Sequence, residues 1–263
     1  MSGGLPRSSV PLFDALAAGY EQHFAVAHRH AYDQLAWERV AALLPPPPGP
    51  VVDAGCGVGR WARPLVGLGY RVVGVEQAPA MVAELRRRPV GDRFTLVEGP
   101  MEEAELPPGA AGLVLAMGSL QYTVDPAATL TRLAGWARPG AAVCVLVDSL
   151  VALVLELLRA GRAAEALQRL RSRRGTWEQD GLAADLHLLD RAALAAAMAA
   201  AGLVEVRVAG LLVGATAFGR DGLAARLAAD PDGQLDLERR LAADPALADA
   251  GKQLLATGRR PGP

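Results

Sequence analysis

A chain of 263 residues with 51% hydrophobic side chains is long enough to bury one α/β core and an added cap. Its 27 Lys and Arg balance 28 Asp and Glu, so no global charge draws it to nucleic acid or to a membrane surface. Two cysteines, Cys56 and Cys144, imply no disulfide framework and suit a reducing cytoplasm.

Met1–Ser9 has no apolar signal core, which argues against secretion by that route. Over 10–44, Leu12, Leu16, Tyr20, Phe24, Leu35, Val40 and Leu43 recur at helical spacing. They predict two helices, an N-terminal helical cap spanning 1–44. His23, His28 and His30 gather there, but His28 and His30 fall on different faces of a helix. No acid or cysteine stands at ligand spacing, so no metal site is expected. Pro45–Pro48 is a stiff break. Strands and helices then alternate to about residue 148, which predicts a parallel sheet with right-handed crossovers.

The segment Val51-Val52-Asp53-Ala54-Gly55-Cys56-Gly57-Val58-Gly59 carries the most information. An apolar strand meets an acid, then glycines at alternate positions, then a helix. Glycines free the backbone to turn sharply and lie against a ligand, and the helix start offers unpaired N–H groups. This is a loop for a nucleotide-like cofactor. A pyrophosphate would be repelled by Asp53, whereas S-adenosylmethionine (SAM) brings an ammonium and a sulfonium that favour it. Gly57-Val58-Gly59-Arg60-Trp61-Ala62 also satisfies a loose G-x-G-x-x-A pattern, which keeps a dinucleotide oxidoreductase as a rival. Val72–Val75 reads as the next buried strand, and Glu76 at its end can accept from both ribose hydroxyls. NAD and SAM sites share that feature.

The apolar run Ala141–Leu158 is interrupted by Asp148 and Glu156 and reads as a strand followed by an amphipathic helix, not a membrane span. Residues 149–186 read as a helical insertion lying above the C-terminal edge of the sheet, where open α/β sheets bind ligands. A second helical insertion covers about 219–250. Lys252 is the only lysine, so no Tyr-x-x-x-Lys pair of a large dehydrogenase class exists; with abundant Ala, Gly, Pro and Arg it fits a GC-rich bacterial genome.

Taken in order, these segments resemble a class I SAM-dependent methyltransferase. Val51–Gly59 is similar to that family's first motif and Val73–Gln77 to its ribose-binding motif. Leu113–Tyr122 resembles the fourth strand and its loop. Leu133–Val147 holds the Arg138-Pro139-Gly140 turn before the fifth strand. Ala201–Val206 and Gln253–Arg260 resemble the last two strands. The resemblance covers roughly residues 10–260. It implies a doubly wound, seven-stranded, mostly parallel sheet, with N-terminal helices and helical insertions over the C-terminal sheet edge. The cofactor domain would then span 45–263.

The same resemblance assigns site residues. Asp53, Gly55, Cys56, Gly57 and Gly59 surround the methionine half and ribose of SAM. Glu76 takes the ribose hydroxyls, and Gln77 and Met81 lie near the adenosine. Met101 and Glu102 approach the adenine. The Met117 carbonyl accepts from the cofactor ammonium, with Gly118 and Ser119 following. Tyr20 and His30 close over the methionine end. Tyr122 follows into the pocket, and Asp148 and Ser149 sit where acceptor-binding residues occur on this fold; by place in the chain alone, Trp177 walls the pocket and His187, after the lid and before the next helix, is the base candidate. One departure concerns the third strand. The family's Gly-Asp pair is here Gly99-Pro100, which offers neither a carboxylate nor an N–H. The Met101 N–H, with Glu102 or Glu103, would have to read adenine instead.

Methyl transfer from a sulfonium needs orientation and exclusion of water more than acid–base chemistry. The acceptor implied is oxygen or nitrogen of a small metabolite, with S-adenosylhomocysteine (SAH) as product. A wobble-uridine tRNA is the second acceptor reading. It rests on Asp125-Pro126, the long insertion after the fifth strand, and a basic lid of Arg159, Arg162, Arg169, Arg171, Arg173 and Arg174. A third reading keeps SAM binding without methyl transfer, as in a cyclase or a binding protein.

Overall fold

The computed structural model describes residues 7–23 and 25–262. Phe24 and the His23 side chain, both part of the N-terminal reading above, lie outside the described residues. In chain order come α1 (Val10–Leu16), a 3-10 turn, α2 (Tyr20–His23) and α3 (Ala27–Ala41). Then follow β1 (Pro50–Ala54), α4 (Ala62–Gly67), β2 (Arg71–Glu76), α5 (Pro79–Arg87), β3 (Phe94–Glu98), β4 (Ala111–Met117), α6 (Pro126–Trp136) and β5 (Ala137–Asp148). The second half holds α7 (Leu150–Arg159), α8 (Ala163–Ser172), β6 (Arg174–Gln179), β7 (Leu182–His187), α9 (Arg191–Ala200) and β8 (Val204–Leu211). It closes with α10 (Val213–Ala229), α11 (Pro231–Ala243), a 3-10 turn and β9 (Gln253–Arg259).

Seven strands form one sheet in the order β3-β2-β1-β4-β5-β9-β8. The first five run parallel, and β9 is antiparallel to both β5 and β8. Central strands are Val-, Leu- and Ala-rich and buried along nearly their whole length, as expected for strands covered on both faces. One face packs against α3, α4, α10 and α11, through Leu35, Val40, Leu65, Leu223 and Leu235. The other packs against α6 and α9, through Leu130, Leu133, Leu194 and Met198.

Two expectations change here. The N-terminal segment is not one cap: α3 belongs to the helical layer of the sheet, because Ala31, Leu35, Ala36 and Val40 are buried against it. Only the part before α3 lies over the ligand edge. The insertion 149–186 is not helical throughout. After α7 and α8 it forms the β6–β7 hairpin, paired from Arg174↔His187 to Gln179↔Leu182. Its two-residue turn is Asp180-Gly181, both at positive φ (51° and 79°). That dipeptide is a strong hairpin signal, masked in the sequence by the helical stretch before it. The 219–250 segment is helical, in α10, α11 and a 3-10 turn, although α10 starts earlier and breaks at Gly219.

Candidate active site

The strand order places β2 and β4 on opposite sides of β1, which opens a crevice at their carboxyl ends. The glycine loop floors it. Gly55 and Cys56 N–H groups donate to the Val75 carbonyl at 2.8 and 3.0 Å, tying the loop to β2. Gly55 stands at φ 77°, and a Cβ there would lie 2.3 Å from Cβ of Ser119. The Ser119 hydroxyl donates to the Ala54 carbonyl at 2.6 Å, which holds the two loops together. Gly57 and Gly118 also have positive φ, but a Cβ on either would meet nothing within 4 Å. They leave an open cradle for a ligand. Gly59 serves the turn itself, since its Cβ would press on Val90 and Leu85.

Glu76 is the organising carboxylate. Its Oε1 accepts from the Gln77 and Ala78 N–H groups at 2.8 and 2.7 Å, and its Oε2 from the Gly57 N–H at 2.8 Å. Three of its roughly four acceptor positions are therefore taken by backbone. Accepting from two ribose hydroxyls would need one of these bonds to open or be shared. Burial pushes the Glu76 pKa up, against the pull of the three N–H groups. Asp53 lies beneath the loop, 1% exposed, and its Oδ2 has no hydrogen-bond partner. Burial, then the neighbouring Glu76, push its pKa up to about 7. Cys56 is buried and its thiol pKa is pushed well up by burial, so it is no reactive thiolate.

The part of the crevice beside the glycine loop is lined by Gly55, Gly57, Glu76, Gln77, Met81, Met101, Glu102, Met117, Gly118 and Ser119. Glu102 also accepts from the Val124 N–H at 3.1 Å, while Glu103 is exposed outside the lining. The roof comes from α1. Phe13 packs edge-on to Tyr20, Tyr122 and Trp177, with ring centroids 6.5, 5.2 and 5.6 Å away. Asp14 accepts from the Ala80 N–H at 2.8 Å, pinning α1 to the start of α5. On its other side Arg7 reaches Asp185 of β7, with its Nη2 2.8 Å from Oδ1. Helix α1 and the hairpin thus cover the crevice together. Phe13 escaped the sequence reading because its helical neighbours Leu12 and Leu16 carry the periodic signal.

A second cavity, about 490 Å³, continues from Gly57 and Gly118 toward Asp148, Trp177 and Gln253. Tyr20 and Tyr122 line both spaces. Asp148 is held by two amides. Gln121 Nε2 donates to Oδ2 at 3.0 Å, and Gln253 Nε2 to Oδ1 at 3.3 Å. Burial and the Asp148 charge raise the Tyr122 phenol pKa, so it stays neutral. Ser149 lines the cavity, but its hydroxyl caps α7 by accepting from Ala152 N–H and donates to the Asp249 carbonyl. The sequence reading also missed Arg29, Arg60, Gln121 and Arg220, whose positions follow only from the packing of α3, the glycine loop and α10.

Two candidates fall elsewhere. His187 does not line the cavity. Strand β7 alternates, so Leu186 and its neighbour Leu188 face inward while His187 lies beside Arg174 at 2.8 Å. Burial and then that guanidinium lower its pKa. His30 is exposed and lines a separate surface groove with Asp33 and Trp37. Among the described residues no group of three or more His, Cys, Asp or Glu could hold a metal ion, and no helix is long and apolar enough to cross a membrane.

A family model described as a methyltransferase domain matches residues 27–208. The chain is 35% identical over 144 residues to the biotin biosynthesis bifunctional protein BioCD of Bordetella avium, over 51% of this chain and 29% of that protein. It is 33% identical over 96 residues to the ubiquinone biosynthesis O-methyltransferase of Methylocella silvestris, over 34% of this chain and 36% of that protein. The match thus spans less than half the length of either relative. Among solved structures, the DhpI-SAM-HEP complex aligns over 98% of this chain and 99% of that one, with a TM-score of 0.63 at 18% identity. That likeness is one of fold.

Proposed function

The chain belongs to the methyltransferase domain family, as a SAM-dependent class I methyltransferase, and from that premise we propose that it methylates oxygen or nitrogen of a small-molecule metabolite. The observation that carries the acceptor reading is the second cavity, continuous with the cofactor cradle at Gly57 and Gly118 and lined by Phe13, Tyr122 and Trp177. A concave space of this size, walled by aromatic rings and a few polar groups, fits a metabolite better than a folded macromolecule. The basic lid gives the tRNA reading little support. Arg162 and Arg169 pair with Glu165, Arg173 with Asp190, and Arg174 with His187.

The residues present fit SAM. Gly57 and Gly118 leave the space a side chain would fill, and the buried Asp53 and Glu76 carboxyls stand beside the cradle, where a cationic ligand would favour their ionised forms. SAM supplies a methyl already activated by a sulfonium. The chain's residues then have three tasks. Glu76, fixed by its three N–H groups, orients the cofactor's ribose. The Phe13, Tyr20, Tyr122 and Trp177 rings exclude water. Asp148, fixed by Gln121 and Gln253, orients the acceptor and can take its proton. With His187 outside the cavity, Asp148 replaces it as the base candidate.

Calorimetric titration of SAH and NADH tests the cofactor half. Glu76→Ala should weaken SAH by about 10- to 100-fold, the loss of one or two charge-assisted hydrogen bonds. NADH binding, or SAH binding indifferent to the substitution, would overturn the assignment. Turnover of SAM with small-molecule extracts should release SAH and a product heavier by one methylene. A product found only with tRNA would overturn the acceptor class.

A further inference from the structure

The second cavity balances its own charges. Its cations are Arg29, Arg60, Arg220 and Lys252, and its acids are Asp148, Glu156 and Glu178. Lys252 Nζ lies 2.7 Å from Glu156. Arg60 pairs with Asp33, which lines the neighbouring surface groove. Arg29 and Asp148 share the space between them. Burial, and next the Arg220 charge, lower the Arg29 pKa, while Tyr20, Asp148 and Tyr32 favour its charged form.

What remains is at the rim or uncharged. Arg220 and Glu178 are exposed on α10 and β6, where solvent and salt screen them. Burial pushes up the pKa of the Tyr20, Tyr32 and Tyr122 phenols, so all three stay neutral. A charged guest would shed its water without meeting an unanswered charge inside. A neutral guest avoids that cost.

We propose that the methyl acceptor is an uncharged ring compound that presents a hydroxyl or an N–H group to Asp148 and its ring to Phe13, Tyr122 and Trp177, while the matched charges of Asp148 and Arg29 turn ionic analogues away. This rests on the methyl-transfer reading and adds the substrate class. In the step itself the methyl–sulfur bond breaks and a methyl–oxygen or methyl–nitrogen bond forms. Sulfur keeps the bonding pair and becomes a neutral thioether. The O–H or N–H proton of the acceptor passes to the Asp148 carboxylate. One positive and one negative charge vanish together, so the net charge of the site does not change.

The test is binding to protein saturated with SAH. Benzyl alcohol and benzamide are titrated beside benzoate and benzylammonium, ions of similar size. At least one neutral probe should bind at millimolar concentration, and neither ion should. The two neutral probes tell hydroxyl from amide nitrogen. Two substitutions then unbalance the cavity in opposite senses. Asp148→Asn leaves Arg29 unanswered and should strengthen benzoate about tenfold or more. Arg29→Gln leaves Asp148 unanswered and should do the same for benzylammonium. A loss of packing alone would move neutral and charged probes alike. Either variant decides by itself, so one that fails to fold does not shelter the proposal. No neutral binding, an ion that binds the unaltered protein as well as the neutral probes do, or a folded variant that does not gain its matching ion would each overturn it while SAH still binds. Weakened SAH binding in Arg29→Gln would assign that arginine to the cofactor and overturn the balance. Failure of the unaltered protein to bind SAH would strike at the methyl-transfer reading itself.

Discussion

Asp53 is a carboxylate buried at a strand end with one oxygen unpartnered and a pKa near 7. An aspartate in the unfolded chain titrates near 3.9. Between about pH 4 and 7 the folded protein therefore keeps a proton that the unfolded chain has released. The stability this group contributes is fully present below about pH 4 and is lost as pH rises to about 7, at up to ~1.4 kcal/mol per pH unit. A cationic ligand in the adjacent cradle favours the ionised form, so its affinity changes the opposite way. In thermal melts and titrations from pH 5 to 8, the ligand-free protein should lose stability with rising pH while SAM affinity rises. Asp53→Asn should flatten both curves; a variant that keeps either slope would assign it to another group. The buried position of Asp53 at the strand end beneath the glycine loop was legible in the sequence, because an acid before alternate glycines ends a strand at a turn. The exclusion of His187 was not. A strand's facing is set by register, and a one-residue change of face is invisible without the hairpin partner.

Among the elements, those with continuous apolar runs were readable. Strands β1, β2, β4 and β5 follow from Val- and Leu-rich segments that only a covered sheet can hold. The roof was not, since α1 is a single seven-residue helix and the hairpin strands are six residues each, with β6 largely polar. Each gains its order from the other. Phe13 joins them, meeting Tyr122 at 5.2 Å and Trp177 at 5.6 Å, and aromatic pairs of this geometry contribute about 0.5–1.5 kcal/mol each beyond burial. Phe13→Ala should therefore speed SAH dissociation by about tenfold or more in stopped-flow measurements, with little change in the melting temperature of the sheet. An unchanged dissociation rate would mean that the roof does not retain the cofactor.

Over the whole molecule, the sheet is buttressed on both faces independently of the ligand edge. Cofactor binding should thus stabilise without remodelling. At 100 times its dissociation constant, SAH should add about 2.7 kcal/mol to unfolding. Hydrogen exchange should show new protection concentrated in α1, the glycine loop and the β6–β7 hairpin; protection spread evenly over the sheet would contradict a preformed core. The contact between Arg7 and Asp185 spans 178 residues of chain. Leu12 and Leu16 find their apolar cover against Ala184, Trp177 and Leu182 at the same remove. A ribosome adding about 5–20 residues per second needs roughly 9–36 s to traverse that interval. Throughout it, α1 of the nascent polypeptide lacks the hairpin's share of its apolar cover, a natural hold for a chaperone until the hairpin emerges.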